Sequence, residues 1–167
     1  MNRFVFIFFT VLLAASCVPK VPGNAEQGDI VTIFPDYADV TVPRTIAPLN
    51  FRIMSDSDES VAVLESGGLR SVIKGPDIEM SISGWRRLLS DSDSIDVTIY
   101  TKKNNKWFRH VPFRFYISDD PIDGYLCYRR IFPGYGAYRA MGIYQRDLAT
   151  FKETLIFGHE DAGGAEA

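Results

Sequence analysis

The chain has 167 residues, a formal net charge of −3, an apolar fraction of 46% and an aromatic fraction of 13%. This length and composition suit one domain with a sizeable core. Charges of both signs are mixed along the sequence, which excludes the clustered basic surface typical of nucleic-acid-binding proteins.

The first sixteen residues have the pattern of an export signal. Arg3 gives a positive start, and an almost unbroken apolar run extends from Phe4 to Ala15. This run is long enough for a signal-peptide core and too short to span a bilayer. It ends in small residues directly before Cys17, the pattern that lipoprotein signal peptidase cleaves. The sequence therefore predicts that residues 1–16 are removed and that Cys17 carries lipid, including a palmitate-type acyl chain.

The cysteine content supports lipid attachment. The chain has one other cysteine, Cys127, so the sequence allows a single disulfide, between Cys17 and Cys127. That bridge would tie a flexible end to a Tyr-rich segment, which makes the disulfide a less attractive role for Cys17 than lipid attachment. Two or three acyl chains anchor a protein stably where one does not. The predicted location is the cell envelope, on the periplasmic side of the outer membrane. The alternative to lipidation is an ordinary signal peptide that is followed by a chance cysteine.

After the signal, the chain changes character twice. Residues 17–30 contain two prolines and a Gly-Asn pair, which predict a flexible tether. In residues 29–48, three prolines exclude a helix, and the interspersed apolar residues predict an extended arm or edge strand.

From Leu49 onward the pattern predicts short strands. They are expected at 49–54, 60–65, 69–73 and 77–82, and Gly67-Gly68 turns the second strand into the third. A short helix is predicted over 83–89 with Ser83 as its N-cap, because Trp85, Leu88 and Leu89 share a face.

The clearest hairpin follows the helix. Ile95, Val97 and Ile99 alternate with polar residues, and residues 102–105 form the turn. The return strand over 106–117 is interrupted by Pro112, which indicates a bulge or an edge. Together these elements predict a mainly β fold over residues 31–118, an immunoglobulin-like β-sandwich with a short helical insert.

Regular alternation is lost after residue 118. Residues 119–157 are predicted to be an irregular Tyr/Arg-rich segment that wraps the sandwich, and residues 158–167 a disordered tail. Tyr and Arg dominate binding hot spots, although here they can equally hold the segment on its own domain. The candidate interaction surface consists of Tyr125, Tyr128, Arg129, Arg130, Tyr135, Tyr138, Tyr144 and Arg146.

Motifs for catalysis and metal binding are missing from the sequence. His110 and His159 have no metal partner at recognisable spacing, and CxxC, HExxH and GxSxG do not occur. Asp36 with Asp39, or the aspartates of residues 119–123, can supply a glycosidase-type acid pair. Asp at turns is far commoner as a backbone cap. The sequence therefore predicts a non-enzymatic protein with neither a metal nor a cofactor.

Five strings, taken in order, carry a resemblance to a known family. They are FPDYADVTVP (34–43), IAPLNF (46–51), PIDGY (121–125), YRRIFPGY (128–135) and MGIYQRD (141–147). They resemble the N-terminal region of Bacteroidetes-type envelope lipoproteins. Longer members continue into a CxxCH haem-type segment and a TolB-like β-propeller, and are often labelled cytochrome c biosynthesis proteins.

The resemblance covers about residues 31–157 and implies an adaptor domain that adjoins a propeller. This sequence contains no CxxCH motif and no propeller, so haem binding is not carried over. The chain is expected to be either a fragment of a longer protein or a stand-alone form of the first domain.

Two functional hypotheses follow. The first is a non-enzymatic envelope lipoprotein, anchored in the membrane by its N-terminal lipid, that presents the Tyr/Arg-rich surface to a protein partner or to a propeller of longer relatives. The second is a carbohydrate-binding or carbohydrate-processing module that uses Trp85, Trp107 and a carboxylate pair. Exposed, coplanar aromatic rings would favour sugar binding, and buried tryptophans would favour the adaptor. We expect Trp85 and Trp107 to be largely buried in the sandwich and its helical insert.

Overall fold

The computed structural model describes residues 19–90, 92–131 and 141–158, which contain thirteen strands and one short helix. Cys17 and the predicted signal peptide lie outside these residues. No helix in the described ranges is both long and apolar enough to cross a bilayer. In chain order the elements are β1 (Ala25–Gln27), β2 (Thr32–Phe34), β3 (Thr41–Pro43), β4 (Phe51–Met54), β5 (Glu59–Ser66), β6 (Leu69–Lys74), β7 (Asp77–Ile78), α1 (Ile82–Leu89), β8 (Ser94–Lys103), β9 (Lys106–Arg109), β10 (Phe113–Ser118), β11 (Tyr125–Arg130), β12 (Gly142–Asp147) and β13 (Glu153–Gly158).

Strand β8 is the centre of a seven-stranded sheet. On one side it pairs antiparallel with β5, which pairs in turn with β6. On the other side its second half pairs with β9 and its first half with β10. Two short strands then add in parallel at the outside, β1 along β9 and β3 along β10. The predicted extended arm therefore supplies β3 as an edge strand of this sheet.

The predicted return strand is split into β9 and β10. The backbone N–H of His110 still donates to the carbonyl of Ile99 at 2.9 Å, and the chain leaves the ladder over the next two residues. Pro112 has no N–H to donate, so pairing with β8 resumes only at Phe113. The predicted interruption is confirmed. The predicted turn also forms, with Asn104 and Asn105 at positive φ values of 50° and 61°, as in type I′ hairpins.

A second layer covers one face of the large sheet. It consists of the three-stranded antiparallel sheet β2-β4-β7 together with α1. Alternate residues of β5, β8 and β10 point into the core, where Phe115 and Trp85 are fully buried and their rings meet edge to face at 6.2 Å. The mainly β sandwich with one short helical insert is confirmed.

The helix begins earlier than the sequence predicts. Ser81, rather than Ser83, is the N-cap, and its Oγ accepts the N–H of Gly84 at 3.1 Å. The strand predicted over 77–82 is correspondingly short, because only Asp77 and Ile78 pair with β4. The alternation of Ile78, Met80 and Ile82 concealed this cap.

Arg44 caps the C-terminal end of α1. Its guanidinium donates to the carbonyl oxygens of Leu89 and of Ser92, the latter at 3.3 Å. Its Nε donates to Asp119 at 2.6 Å, and this contact lowers the pKa of the Asp119 carboxyl. A cation at this position satisfies carbonyls that the last helical turn leaves open.

Strand β1 corrects the predicted tether, because ordered structure begins within residues 17–30. Ala25–Gln27 pair with β9, and the N–H of Gly28 donates to the carbonyl of Arg109 at 2.9 Å. The His110 ring also joins this segment to the sheet through the carbonyl of Asp29, at 2.7 Å from Nδ1. The flexible-tether prediction is wrong for this part, since backbone pairing at an edge leaves no apolar pattern in the sequence.

The segment over 119–157 also departs from its prediction. It forms a regular antiparallel meander, β11-β12-β13, so the description of it as irregular is wrong. Large residues on both faces hid the alternation in the sequence. Strand β13 includes Gly158, the first residue of the predicted tail, and the rest of that tail lies outside the described residues.

Glu59 gives the sandwich a pH-dependent contribution to stability. Its carboxylate contacts Lys102 at 2.8 Å and Lys74 at 3.0 Å, and hydrogen bonds from these two lysines lower its pKa from 4.5 to about 2. A carboxyl with a lowered pKa stabilises the fold above its unfolded pKa and loses that contribution as pH falls. We expect Glu59→Gln to be less stable than the wild type at neutral pH. The difference should shrink as pH falls from 4.5 toward 2, measured by urea unfolding, and a pH-independent difference would contradict it.

Candidate interaction surface

The three strands β11–β13, called here the interaction sheet, are set apart from the sandwich core. No residue of these strands belongs to the buried core cluster of the described chain. A hydrogen bond from the N–H of Ala47 to the carbonyl of Leu148, 2.7 Å long, joins the sheet to the arm. Large apolar side chains of the sheet remain between 44% and 58% exposed, namely Tyr125, Leu126, Ile143, Leu155, Ile156 and Phe157.

The register of the meander sorts its side chains onto two faces, because directly paired residues share a face and neighbours in sequence alternate. Tyr128, Tyr144 and Leu155 are paired across the three strands on the first face. The second face carries Arg129, Ile143 and Phe157 as a paired row. Both faces therefore combine aromatic or aliphatic groups with arginine.

An ordered cluster lies on the first face. The Tyr128 hydroxyl donates to the Glu153 carboxylate, which also accepts from Arg130 at 2.7 Å. The Arg130 guanidinium lies 4.7 Å from the ring centre of Tyr144, and the Tyr128 and Tyr144 rings stack with centroids 6.2 Å apart. The hydrogen bond to Glu153 raises the pKa of Tyr128. These contacts fix four side chains on an otherwise open sheet.

Gly142 makes room for this cluster. It is the direct partner of Arg130, and a Cβ at this position would lie 2.7 Å from Cδ1 of Leu155 and 2.9 Å from the carbonyl oxygen of Phe157. A Cβ would also meet the Tyr144 ring at 3.3 Å. Side chains of the neighbouring strand thus close over the glycine, and a larger residue would displace them.

Two arginines of the sheet remain exposed, one on each face. Arg146, on the first face, lies with its guanidinium 5.7 Å from the ring centre of Phe151. Arg129, on the second face, is exposed next to Ile143 in the register. Both positions offer cations next to apolar groups, a combination common at binding hot spots.

The predicted surface is thereby divided. Tyr128, Arg130, Tyr144 and Arg146 share the first face, whereas Tyr125 and Arg129 lie on the second. Tyr135 and Tyr138 lie outside the described residues. The sequence did not indicate Glu153, which organises the cluster. A usable signal was the run Thr154–Phe157 after it, since four β-forming residues flanked by a charge and a glycine suit an edge strand.

The tryptophans proposed for sugar binding are not a pair. Trp85 is fully buried, and its Nε1–H donates to the carbonyl of Ile46 at 2.9 Å. Trp107 on β9 is partly exposed rather than largely buried as a core residue, and the Lys102 ammonium lies 5.8 Å from its ring centre. A coplanar Trp platform is therefore not formed by these two residues.

The candidate carboxylates are engaged with backbone or basic groups. Asp36 accepts the N–H of Ala38 at 3.1 Å, and Asp39 accepts the N–H of Arg114 at 3.1 Å. Asp120 accepts from the Ser118 hydroxyl at 2.7 Å. The Asp36 contact is the turn-capping chemistry expected of Asp, whereas Asp39 joins the arm to β10 and Asp120 accepts from a side-chain hydroxyl. In the described parts of the chain, no group of three or more His, Cys, Asp or Glu residues is placed to hold a metal ion.

Comparison with family models, curated proteins and solved structures gives no match for this chain. The resemblance to envelope lipoproteins therefore stays a prediction from the five sequence strings. The interaction sheet itself is the remaining basis for a functional proposal.

Proposed function

We propose that this protein is a non-enzymatic adaptor of the cell envelope, anchored by lipid on Cys17, that binds a protein partner through the interaction sheet. The observation that carries the proposal is the exposure of this sheet. A three-stranded meander open on both faces leaves apolar side chains in water, and exposed apolar surface of this kind marks interaction sites.

The chemistry of the first face favours a protein over a sugar. Tyr144 already contacts Arg130 and Tyr128, so its ring is engaged within the chain instead of presenting a free stacking platform. Leu126 and Leu155 add aliphatic surface at 52% and 49% exposure. Apolar anchors with ordered Tyr and Arg side chains resemble the centre of a protein interface.

Preorganisation also supports binding. Glu153 holds Tyr128 and Arg130 in place before any partner arrives. A surface that is already ordered loses less side-chain entropy on association, so more of the contact energy remains as affinity.

A photo-crosslinking amino acid in place of Leu126, in intact cells, tests the proposal. We expect a discrete protein adduct, because this side chain is exposed beside the ordered cluster. Adding Gly142→Ala should abolish the adduct, since the new methyl group displaces Leu155 and Tyr144. The matched control is Gly124→Ala, whose Cβ would meet nothing within 4 Å, and it should leave the adduct unchanged.

Two results would count against the adaptor. One is the absence of any protein adduct at position 126, and the other is an adduct that survives Gly142→Ala. A crosslinker at the exposed Arg70, on β6 of the sandwich, supplies a background position.

The lipid anchor is tested separately at the N-terminus. Mass spectrometry of the mature protein is expected to find an acylated Cys17 as its first residue, because small residues precede this cysteine after an apolar run. Cys17→Ala should leave the precursor uncleaved by the lipoprotein peptidase. An unmodified N-terminus downstream of Cys17 would contradict the anchor.

A further inference from the structure

A second apolar surface lies on the sandwich, away from the interaction sheet. Four large side chains form it, here called the tether-side patch: Ile30, Phe34, Met54 and Val111, with exposures of 82%, 68%, 53% and 45%. Ile30 lines one groove with Met54 and another, of about 250 Å³, with Val111. Phe34 lies diagonally across from Met54 on the outer face of the pair β2-β4. Ile30 therefore connects Met54 with Val111, and Phe34 extends the patch along the outer face of β2-β4.

The patch lies on the half of the sandwich where the chain enters. Strand β1 pairs with β9, which pairs with residues Tyr100–Lys103 at the end of β8. The loop after Met54 is held at this same end, because Asp56 contacts Lys103 at 2.8 Å. Ile30 follows β1 by three residues.

The interaction sheet leaves the sandwich at the opposite end of β8. Tyr116 of β10 pairs with Ser94, the first residue of β8, and the chain passes from Ser118 into the sheet. Ten residues of extended strand separate the two ends, about 30 Å at the usual rise. The molecule therefore has an entry end and a docking end.

We propose that the tether-side patch rests on the lipid bilayer that holds the acyl chains of Cys17. This inference rests on the lipid anchor of the proposed function. Seven residues lie between Cys17 and Ala25, and the eight residue steps span at most about 27 Å, so the entry end stays close to the membrane surface. At such a distance the tether supplies a high effective concentration, and a small apolar patch suffices for contact.

The charges around the patch favour a zwitterionic surface. Asp56 is paired with Lys103, and Arg52 is paired with Asp77 at 3.1 Å. Asp36 and Asp39, which line the groove beside Ile30, add negative charge at the rim. Acidic side chains repel anionic headgroups, so a bilayer of zwitterionic lipid suits this rim, and phosphatidylcholine serves as the probe of that class.

The test uses the full chain produced in a bacterium that lipidates it, carrying Phe34→Trp and reconstituted in phosphatidylcholine vesicles with or without bromine on the acyl chains. Bromine quenches indole fluorescence only at close range. The control is Tyr125→Trp on the interaction sheet, and both original residues are more than half exposed, so the core is undisturbed. The wild type supplies the background of Trp85 and Trp107.

We expect brominated lipid to quench Phe34→Trp beyond the wild-type background and to quench Tyr125→Trp no more than the wild type. We expect Ile30→Ser with Met54→Ser to reduce the quenching at position 34. The acylation of Cys17 is first verified by mass spectrometry. On such a chain, equal quenching at both positions, or none at position 34, would overturn the proposal that the tether-side patch rests on the bilayer and would leave the lipid anchor intact. Failure of the anchor itself shows as an unmodified N-terminus, which removes the tether argument as well. A blue shift of Phe34→Trp without bromine quenching would identify a second copy of the chain on the patch, and would also overturn the proposal.

Discussion

Replacing Trp85 with Ala is expected to lower the free energy of unfolding by about 3–5 kcal/mol. The side chain is fully buried between α1 and the large sheet, where its ring contacts Phe115, so truncation leaves a cavity at the centre of the core. The substitution also removes the donor to the carbonyl of Ile46. Denaturant unfolding followed by circular dichroism measures the loss.

Two matched variants separate these effects. Trp85→Phe keeps an aromatic ring in the core but loses the N–H. The loss of this donor should lower the free energy of unfolding by about 1 kcal/mol beyond the effect of the smaller ring on packing. Trp107→Ala removes a partly exposed ring near Lys102, and should cost about 1 kcal/mol. If Trp107→Ala proved as damaging as Trp85→Ala, the assignment of Trp85 to the core and Trp107 to the surface would be wrong.

A chain that ends after Asp120 is expected to lose partner binding completely while the sandwich stays folded. The buried cluster contains no residue of β11–β13, and this end point keeps Asp119 for its contact with Arg44. The hydrogen bond from Ala47 to Leu148 is lost, which should cost about 1 kcal/mol. Thermal unfolding measures the stability of the sandwich, and co-purification of the partner that the Leu126 crosslinker captures on the full chain measures the binding.

Gel filtration adds an independent check on the shortened chain. Since it lacks the exposed strands, it should associate less than the full chain at the same concentration. Aggregation of the shortened chain, or loss of its cooperative transition, would show that the interaction sheet covers the sandwich after all.

The parts of the fold that the sequence predicted share one property: each has a clear period or turn. The alternation of Ile95, Val97 and Ile99 marked β8, and Gly67-Gly68 marked the turn from β5 to β6. Pro112 marked the break between β9 and β10. These signals are local, so they can be recognised in the sequence without knowledge of tertiary contacts.

The elements that escaped prediction leave no periodic pattern in the sequence. Strand β1 is polar and pairs with β9 some eighty residues later through backbone groups, which carry no sequence pattern. The interaction sheet is apolar on both faces, so a period of two is not visible. Its Tyr and Arg residues were found by composition, but their division onto two faces and the role of Glu153 required the register.

The pairing of β1 with β9 has a mechanical consequence. In an anchored protein that holds a partner at its far end, tension from the N-terminus must pass through this strand, which begins at Ala25, before it reaches the core. Three residues of backbone pairing and the Lys106–Glu26 contact hold β1 at the edge of the large sheet, whereas β8 lies between neighbouring strands. Under load β1 should separate from the large sheet first. This lengthens the tether by several residues, while the sandwich and the interaction sheet keep their structure.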